Sequence, residues 1–207
     1  MAKKGKFFVF EGIDGSGKST QIELLSQKLQ DEGHKVYSTC EPTDGQIGKF
    51  IRSILKGENK TDEQTIAALF LADRLDHLHN EENGLLKKIE EGYIIICDRY
   101  YFSSYAYHSA HVPLDWVIKA NSLPANLLKP DLNIFLDLAP EKSMERITKG
   151  REKLELFENL DRLTTTRKQF FHAFEVLKEE ENVAVINADN PVDTIATEVW
   201  LAVQPLL

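Results

Sequence analysis

Residues 12–20 read Gly12-Ile13-Asp14-Gly15-Ser16-Gly17-Lys18-Ser19-Thr20 and fit the pattern G-x-x-x-x-G-K-S/T. An apolar run at residues 6–11 precedes them and an amphipathic segment at residues 18–31 follows, which predicts a strand, a loop and a helix. Glycines let the backbone curl so that successive N–H groups point at phosphate oxygens, and the helix adds the positive end of its dipole. The alternative is a glycine-rich turn that only connects a strand to a helix.

The pattern, with a strand before it and a helix after it, favours a phosphate-binding loop for ATP or GTP. In such a loop Lys18 reaches the β- and γ-phosphates and the Ser19 hydroxyl ligates Mg²⁺. Glu11 and Asp14 place carboxylates beside this loop, where negative charge is unfavourable unless it has another task. Asp14 could accept a hydrogen bond from a sugar hydroxyl of a phosphate acceptor, or it could bond its own backbone, as aspartates do in turns.

The order of apolar patterns along the chain predicts the fold. Strands are expected at residues 6–11, 36–40, 93–97, 132–138 and 183–186. Helices are expected at residues 18–31, 46–56, 62–79, just before Gly92, and at 102–110, 114–122, 140–149, 159–181 and 191–204. Strands separated by helices form βαβ units. We therefore predict an α/β fold of the P-loop NTPase type, a three-layer sandwich whose central five-stranded parallel sheet has helices on both faces.

Composition excludes several classes of protein. The chain has 207 residues and a formal net charge of −8, which argues against a nucleic-acid-binding face. Its first apolar run, residues 7–10, is too short for a signal peptide or a membrane span. Cys40 and Cys97 cannot form a disulfide framework and show no metal-ligand spacing. We expect one cytoplasmic domain over residues 1–207 that binds neither nucleic acid nor membrane.

The triplet Asp98-Arg99-Tyr100 directly follows the predicted strand at residues 93–97. In an open parallel sheet, ligands bind beyond the carboxyl ends of the strands, so we expect this triplet in the ligand crevice. There Asp98 can hold Mg²⁺ through water, and Arg99 can bind a phosphate through two parallel hydrogen bonds. A strand-end ion pair without a ligand is the alternative.

The helix predicted at residues 62–79 carries a second pair of candidates. Phe70 and Arg74 lie four residues apart and share one helix face, which suits a base that stacks on Phe70 and is bonded at its edge by Arg74. The alternative is a core phenylalanine beside a solvated Asp73–Arg74 pair. His77 and His79 on the same helix point apart and do not form a metal site.

Together these motifs resemble those of the thymidylate kinase family, one of the nucleoside-monophosphate kinases. The resemblance covers nearly the whole chain, and Asp14 inside the loop joined to D-R-Y-x-x-S-x-x-A-Y is more specific than the loop alone. The matching segments are residues 10–21, Glu41-Pro42-Thr43, Leu69-Phe70-Leu71-Ala72-Asp73-Arg74, residues 98–107 and Lys129-Pro130-Asp131-Leu132.

The resemblance implies transfer of the ATP γ-phosphate to dTMP with Mg²⁺, and it assigns residues to each ligand. The ATP side comprises Gly12, Asp14, Gly15, Ser16, Gly17, Lys18, Ser19, Thr20 and, against adenine, Arg146. The dTMP side comprises Asp14, Glu41, Pro42, Arg52, Phe70, Arg74, Arg99, Ser103, Ser104 and Tyr107. Ser19 and Asp98 serve the metal. The catalytic residues are Lys18, Asp98, Arg99 and Arg151, the last in a mobile lid at about residues 146–158.

In more detail, the resemblance implies that Phe70 stacks on thymine, Arg74 bonds its O4 and Ser104 reads its N3 edge. Tyr107 would crowd the sugar 2′ position, Asp14 would bind the 3′-hydroxyl, and Arg52 with Arg99 would hold the monophosphate. It also implies a homodimer. Three positions depart from the family pattern: Cys40 and Leu156 stand where relatives often carry arginine, and His108 replaces the usual glutamine.

Three other functions remain open on the sequence alone. A related P-loop kinase could act on a deoxynucleoside or on another nucleoside monophosphate. A nucleotide-binding switch protein would need a guanine-reading motif such as N-K-x-D, which the sequence lacks. An inactive binding module could keep the loop, but the presence of both Lys18 and Asp98 speaks against it.

Overall fold

The computed structural model describes residues 5–150 and 159–207. The strands are Lys6–Glu11 (β1), Val36–Cys40 (β2), Ile94–Asp98 (β3), Leu132–Asp137 (β4) and Val183–Asn187 (β5). The helices are Lys18–Asp31 (α1), Gln46–Leu55 (α2), Glu63–His79 (α3), Leu85–Glu90 (α4), Tyr101–His108 (α5), Leu114–Ala120 (α6), Ser122–Leu127 (α7), Pro140–Gly150 (α8), Leu160–Val176 (α9) and Val192–Val203 (α10), followed by a 3-10 turn at Gln204–Leu206.

The five strands form one parallel sheet in the order β2-β3-β1-β4-β5. The chain leaves β1 towards β2 and β3 on one side and later adds β4 and β5 on the other. Ligands of such sheets bind at the carboxyl edge where the strand order reverses. This reversal lies at β1, whose residue Phe10 is level with Asp98 of β3. The loop after β1 and the triplet at the end of β3 therefore meet at one edge.

Alternating side chains of β1 build the two cores. Phe7 and Val9 pack on one face of the sheet, in a cluster that includes aromatic residues of α5 and α9. Phe8 and Phe10 pack on the other face, with apolar residues of α1 and α10. Strands buried on both faces need helices on both faces. The predicted α/β fold with a five-stranded parallel sheet is confirmed.

Some predicted helix boundaries are wrong. The segment predicted as one helix at residues 114–122 is two helices, α6 and α7, because Asn121 turns its side-chain amide to the Val117 carbonyl. Pro124 then lies in the first turn of α7, where its missing N–H costs no helical hydrogen bond. The helix predicted to end at residue 181 ends at Val176, and exposed residues follow it at 178–180.

The predicted lid at residues 146–158 lies largely outside the described ranges. Helix α8 includes its first residues, whereas Arg151 and Leu156 fall in the segment that the structure does not describe. The prediction of a single domain over residues 1–207 also extends into that segment. Among the described helices, none is both long and apolar enough to cross a membrane.

Candidate active site

The loop after β1 adopts the curled backbone expected of a phosphate cradle. Gly12 has φ 148° and Gly15 has φ 75°, in the region that favours glycine. A Cβ at Gly12 would lie 2.7 Å from Ser16 Oγ and 2.8 Å from the Leu136 carbonyl, so a side chain there would collide with β4. The loop ends at Gly17, where α1 begins with its N–H groups towards the crevice.

Lys18 is buried at the start of α1 and points back into the loop. Its Nζ donates to the Gly12 carbonyl at 3.3 Å and to the Ile13 carbonyl at 3.4 Å, and it lies 3.9 Å from Asp98 Oδ1. Burial lowers the pKa of Lys18, and the nearby Arg99 charge lowers it further, while Asp98 opposes both. The ammonium is therefore positioned where phosphate groups would meet the loop.

Asp98 and Ser19, the residues predicted for Mg²⁺, line one pocket beside the start of α1. Asp98 Oδ1 and Ser16 Oγ are buried and have no hydrogen-bond partner. Buried polar atoms are normally bonded, so these oxygens fit a ligand. Ser19 is exposed at the first turn of α1. Within residues 5–150 and 159–207, no group of three or more His, Cys, Asp or Glu could hold a metal by itself.

Arg99 links the loop to the cleft. It is a non-glycine residue with positive φ, 71°, a conformation that directs the chain from β3 into α5. Its Nη1 donates to the Gly12 carbonyl at 3.1 Å and to Ser103 Oγ at 3.1 Å. Lys18 and Arg99 thus bond the same carbonyl oxygen, so the structure places both cations in one crevice, as the sequence predicted.

Asp14 faces this cleft from inside the loop. Its carboxylate accepts from Arg99 Nη2 at 2.6 Å and from Tyr107 Oη at 3.0 Å. Burial would raise its pKa, but Arg99 and Lys18 hold the pKa of Asp14 below its ordinary value. Asp14 is therefore an anion that binds across the cleft, and the alternative of an aspartate engaged only with its own turn is wrong.

A cavity of about 190 Å³ opens beside Arg99. Its lining includes every residue predicted for dTMP except Glu41 and Arg74. Leu55, Lys56 and His108, which were not predicted, also line it. Phe70 lies on its wall with its ring centroid 5.1 Å from that of His108. The predicted residues lining it are Asp14, Pro42, Arg52, Phe70, Arg99, Ser103, Ser104 and Tyr107.

Arg74 and Glu41 lie behind the cavity wall, fully buried. Arg74 Nε and Nη2 approach Glu41 Oε2 at 2.9 and 2.7 Å, and Nη1 donates to Ser104 Oγ at 3.1 Å. Asp73 instead accepts from the Thr43 N–H and hydroxyl. The interpretation of Asp73 and Arg74 as a solvated pair is therefore wrong, and Arg74 reaches the cavity through Ser104.

Arg52 of α2 approaches the cavity from the opposite side. It donates to the Pro42 carbonyl at 2.6 Å and to the Thr43 carbonyl, and it lies 3.2 Å from the exposed Asp44 carboxylate. These contacts hold the guanidinium over the end of β2 while about a third of its surface stays exposed. A phosphate in the cavity would therefore replace the exposed Asp44 carboxylate as a partner of Arg52, and would not displace a buried group.

Arg146 of α8 lies over the other end of the loop. Its Nη1 donates to the Gly15 carbonyl at 3.3 Å and its Nη2 to the Ala188 carbonyl at 3.1 Å. Ala188 directly follows β5, so the guanidinium spans the edge of the sheet beside the phosphate loop. Its predicted contact with adenine stays a prediction.

Comparison of the sequence with known proteins identifies the family of the chain. A sequence profile described as thymidylate kinase matches residues 10–199, which is most of the chain. The chain belongs to the thymidylate kinase family. It is 38% identical over 203 residues to a probable thymidylate kinase of Pyrococcus horikoshii, covering 95% of this chain and 94% of the relative. It is also 38% identical over 210 residues to a thymidylate kinase of Caldicellulosiruptor saccharolyticus, covering 99% and 98%.

Membership of the thymidylate kinase family gives meaning to the positions that depart from its pattern. Cys40, where many members carry arginine, is a free, half-buried thiol whose Sγ lies 3.7 Å from Arg52 Nη2. Burial raises the pKa of the Cys40 thiol, so at neutral pH it adds no charge to the phosphate side. His108 is buried, and burial lowers its pKa to about 3. Cys40 therefore does not replace the charge that an arginine would bring, and His108 is neutral at neutral pH, as a glutamine would be.

Sequence reasoning gave no role in the site to three residues that shape it. Glu11 accepts from the Tyr100 and Ser103 N–H groups and from Ser103 Oγ, and so binds the N-terminus of α5. Asn121 Oδ1 accepts from Arg74 Nη1. His77 bonds Glu41. The acidic residue just before the loop was a visible signal for Glu11; nothing local signalled the other two.

Proposed function

We propose that this chain transfers the γ-phosphate of ATP to dTMP, yielding ADP and dTDP. The observation that carries the proposal is the shared Gly12 carbonyl, which brings Lys18 of the phosphate loop and Arg99 of the acceptor cavity together. A kinase needs its donor and acceptor sites in one crevice, close enough for direct transfer. The family, and the activity in its relatives' names, fit a cavity of this composition.

Transfer needs an acceptor phosphate oxygen in line with the γ-phosphorus. That oxygen is already anionic at neutral pH, so no strong base is needed. As its bond to phosphorus forms, the bond from phosphorus to the β,γ-bridging oxygen breaks and ADP leaves with the electron pair. Lys18 stabilises the charge on the transferred group, and Arg99 with Arg52 orients the acceptor. Arg151 is our candidate for a further catalytic cation.

The cavity walls suit a thymine deoxynucleotide. Phe70 offers a face for stacking, and Ser104, backed by Arg74, offers hydrogen bonding to the edge of the base. Tyr107 lies beside Asp14, with 3.0 Å between its hydroxyl and the carboxylate. This pair would crowd a 2′-hydroxyl and bind a 3′-hydroxyl, which favours deoxyribose.

The oxygens at the base of the loop fit Mg²⁺. Asp98 and Ser19 would hold it, together with water and the phosphates of ATP, because magnesium is seldom bound by protein groups alone. Asp98 Oδ1, which is buried, accepts no hydrogen bond from the described residues and lies 3.9 Å from Lys18 Nζ, supports this arrangement. When bound, the ion would neutralise the β- and γ-phosphate charge.

A substrate panel tests the proposal. Purified protein is given Mg²⁺ and ATP with dTMP, dUMP, UMP, CMP, AMP or thymidine, and ADP is measured. We expect dTMP to give the highest kcat/KM, and Lys18→Met to abolish the reaction. ADP formation with thymidine but not with dTMP would replace the proposal with a deoxynucleoside kinase. No ADP with any acceptor, despite ATP binding, would favour a switch protein or an inactive module.

The lid assignment has its own matched test. Arg151→Ala is compared with Lys153→Ala, which removes a charge from the same segment. We expect Arg151→Ala to lower kcat by at least about 100-fold and Lys153→Ala to have little effect. Equal small effects would remove Arg151 from catalysis.

We further propose a cytoplasmic homodimer that binds no nucleic acid. The net charge of −8 supports the absence of nucleic acid. Exposed apolar side chains, among them Phe50 on α2 and Leu123 and Leu127 on α7, support burial against a second copy. Light scattering during size-exclusion chromatography should give twice the chain mass; a monomer at micromolar concentration would contradict this.

A further inference from the structure

A continuous hydrogen-bonded chain leads from β2 to the acceptor cavity. At its outer end, Thr39 Oγ1 lies 2.8 Å from His77 Nε2. The other ring nitrogen of His77, Nδ1, lies 3.1 Å from Glu41 Oε1. Because Nε2 already has Thr39 as a partner, the imidazole is held by both nitrogens and points Nδ1 at the carboxylate.

Glu41 also contacts Arg74 through its second carboxylate oxygen. Its second oxygen, Oε2, receives Nε at 2.9 Å and Nη2 at 2.7 Å. Each oxygen of this buried carboxylate therefore has a separate partner, His77 on one side and Arg74 on the other. A carboxylate held at both oxygens cannot rotate without breaking a bond, so His77 fixes the direction in which Glu41 holds the guanidinium.

The chain ends on a hydroxyl that lines the cavity. Arg74 Nη1 donates to Ser104 Oγ at 3.1 Å. A guanidinium only donates, so Ser104 accepts here and its own proton remains for another acceptor. No acceptor for that proton occurs among the hydrogen bonds of the described residues. A ligand in the cavity therefore meets Ser104 as a donor to a base carbonyl, and one lone pair of the hydroxyl remains for the N3–H group.

We propose that His77 is a positioning residue for recognition of the acceptor base, acting through Glu41, Arg74 and Ser104 on a pyrimidine carbonyl. The inference rests on the proposed function, since it needs a thymine in the cavity. It places recognition of the 4-oxygen on Arg74 and Ser104, whose mutual contact His77 holds in position through Glu41. His77 itself does not line the cavity, because Glu41 and Arg74 lie between it and Ser104.

Loss of His77 would free one oxygen of Glu41 in a buried site. An unpartnered buried acceptor is costly, so the carboxylate would turn towards whatever donors remain and carry Arg74 with it. The result would be weaker binding of the base rather than slower phosphoryl transfer. We therefore expect KM for dTMP to rise while KM for ATP and the saturated kcat stay close to wild type.

The test uses paired substrates and four variants. The substrates are dTMP and its 4-thio analogue, which keeps the N3–H group and has sulfur, a weaker acceptor, in place of the 4-oxygen. His77→Leu removes the contact with Glu41, whereas His77→Asn keeps an amide nitrogen near the position of Nδ1. His79→Leu is the matched control, an exposed histidine two residues further along α3. Thr39→Val removes only the contact between Thr39 and His77 Nε2, and it replaces His77→Leu in the test if that variant does not fold.

The readout is the kcat/KM for dTMP divided by that for the analogue. We expect His77→Leu to lower kcat/KM for dTMP roughly 10- to 100-fold and to bring the ratio towards one, because the analogue has only the weaker sulfur acceptor to lose. His77→Asn should restore most of the ratio, His79→Leu should keep it, and Thr39→Val should lower it by a smaller factor.

Two outcomes would overturn the inference. One is an unchanged ratio in both His77→Leu and Thr39→Val; the other is an equal fall for the two substrates, which would show a purely structural role. Failure of the proposed function gives a different result, because the wild-type protein would then phosphorylate neither dTMP nor its analogue.

Discussion

Replacement of Glu11 by glutamine offers the sharpest test of the electrostatics beside the phosphate loop. Glu11 is the last residue of β1 and is fully buried. Burial raises its pKa from 4.5 to about 7, although hydrogen bonds from Ser103 and the charge of Arg99 favour the ionised form. The carboxylate thus binds the N-terminus of α5 at the cost of losing water.

The magnitude follows from the difference between the two pKa values. The folded pKa of Glu11 lies above its ordinary value, so the folded state is favoured while the group is protonated and loses that advantage as pH rises. The shift from 4.5 to about 7 corresponds to about 3 kcal/mol of unfolding free energy, lost between those pH values. Glutamine does not titrate, so the Glu11→Gln variant should lack this loss.

Urea unfolding at a series of pH values measures this loss of unfolding free energy. The free energy of unfolding of Glu11→Gln minus that of wild type should rise by about 3 kcal/mol from pH 4.5 to pH 7 and stay level above. Glu23→Gln, the same substitution at an exposed position of α1, is the matched control. A flat difference for Glu11→Gln would show that the donors at α5 keep Glu11 ionised throughout, and would refute the reasoning.

Four further predictions address the site. Arg99→Ala should cost about 2–5 kcal/mol of transition-state stabilisation, measured as kcat/KM for dTMP; near-unchanged turnover would remove Arg99 from the site. Asp98→Asn should raise the Mg²⁺ concentration needed for half-maximal activity, and an unaltered magnesium titration would contradict its metal role. In Gly48→Ala the new Cβ would lie 1.9 Å from the Thr43 carbonyl, so KM for dTMP should rise while that for ATP holds; an equal rise in both would point to general misfolding. The lowered pKa of His108 makes the wild-type protein lose stability as the pH falls below 6.5, and glutamine does not titrate. The free energy of unfolding of His108→Gln minus that of wild type should therefore be roughly 2 kcal/mol larger at pH 5 than at pH 7. Parallel pH curves for the two proteins would contradict this prediction.

The sequence predicted those parts of the site that local patterns encode. The loop after β1 needs glycines at particular φ values, and the chain carries them in a recognisable order. The strands are continuous apolar runs because both faces are covered, and all five were placed within one residue at each end, two of them exactly. The meeting of Lys18 and Arg99 followed from their positions just beyond the carboxyl ends of two parallel strands.

The partners of Arg74 could not be predicted in the same way. Glu41 lies 33 residues away and Asn121 lies 47 residues away, and their contacts exist only once β2, α3 and α6 are packed. Asn121 also interrupts a pattern that otherwise suits one long helix. A residue whose hydrogen bonds are all tertiary has no periodic signal, which is why sequence reasoning left open whether Arg74 was solvated.

The Gly12 carbonyl also has a thermodynamic consequence. A triphosphate that draws Lys18 away leaves this oxygen to Arg99, and a monophosphate that draws Arg99 away leaves it to Lys18. The second nucleotide to bind therefore removes the remaining donor from the Gly12 carbonyl. This one peptide therefore opposes double occupancy, with equal strength in either binding order, and contacts made only in the ternary complex must outweigh it.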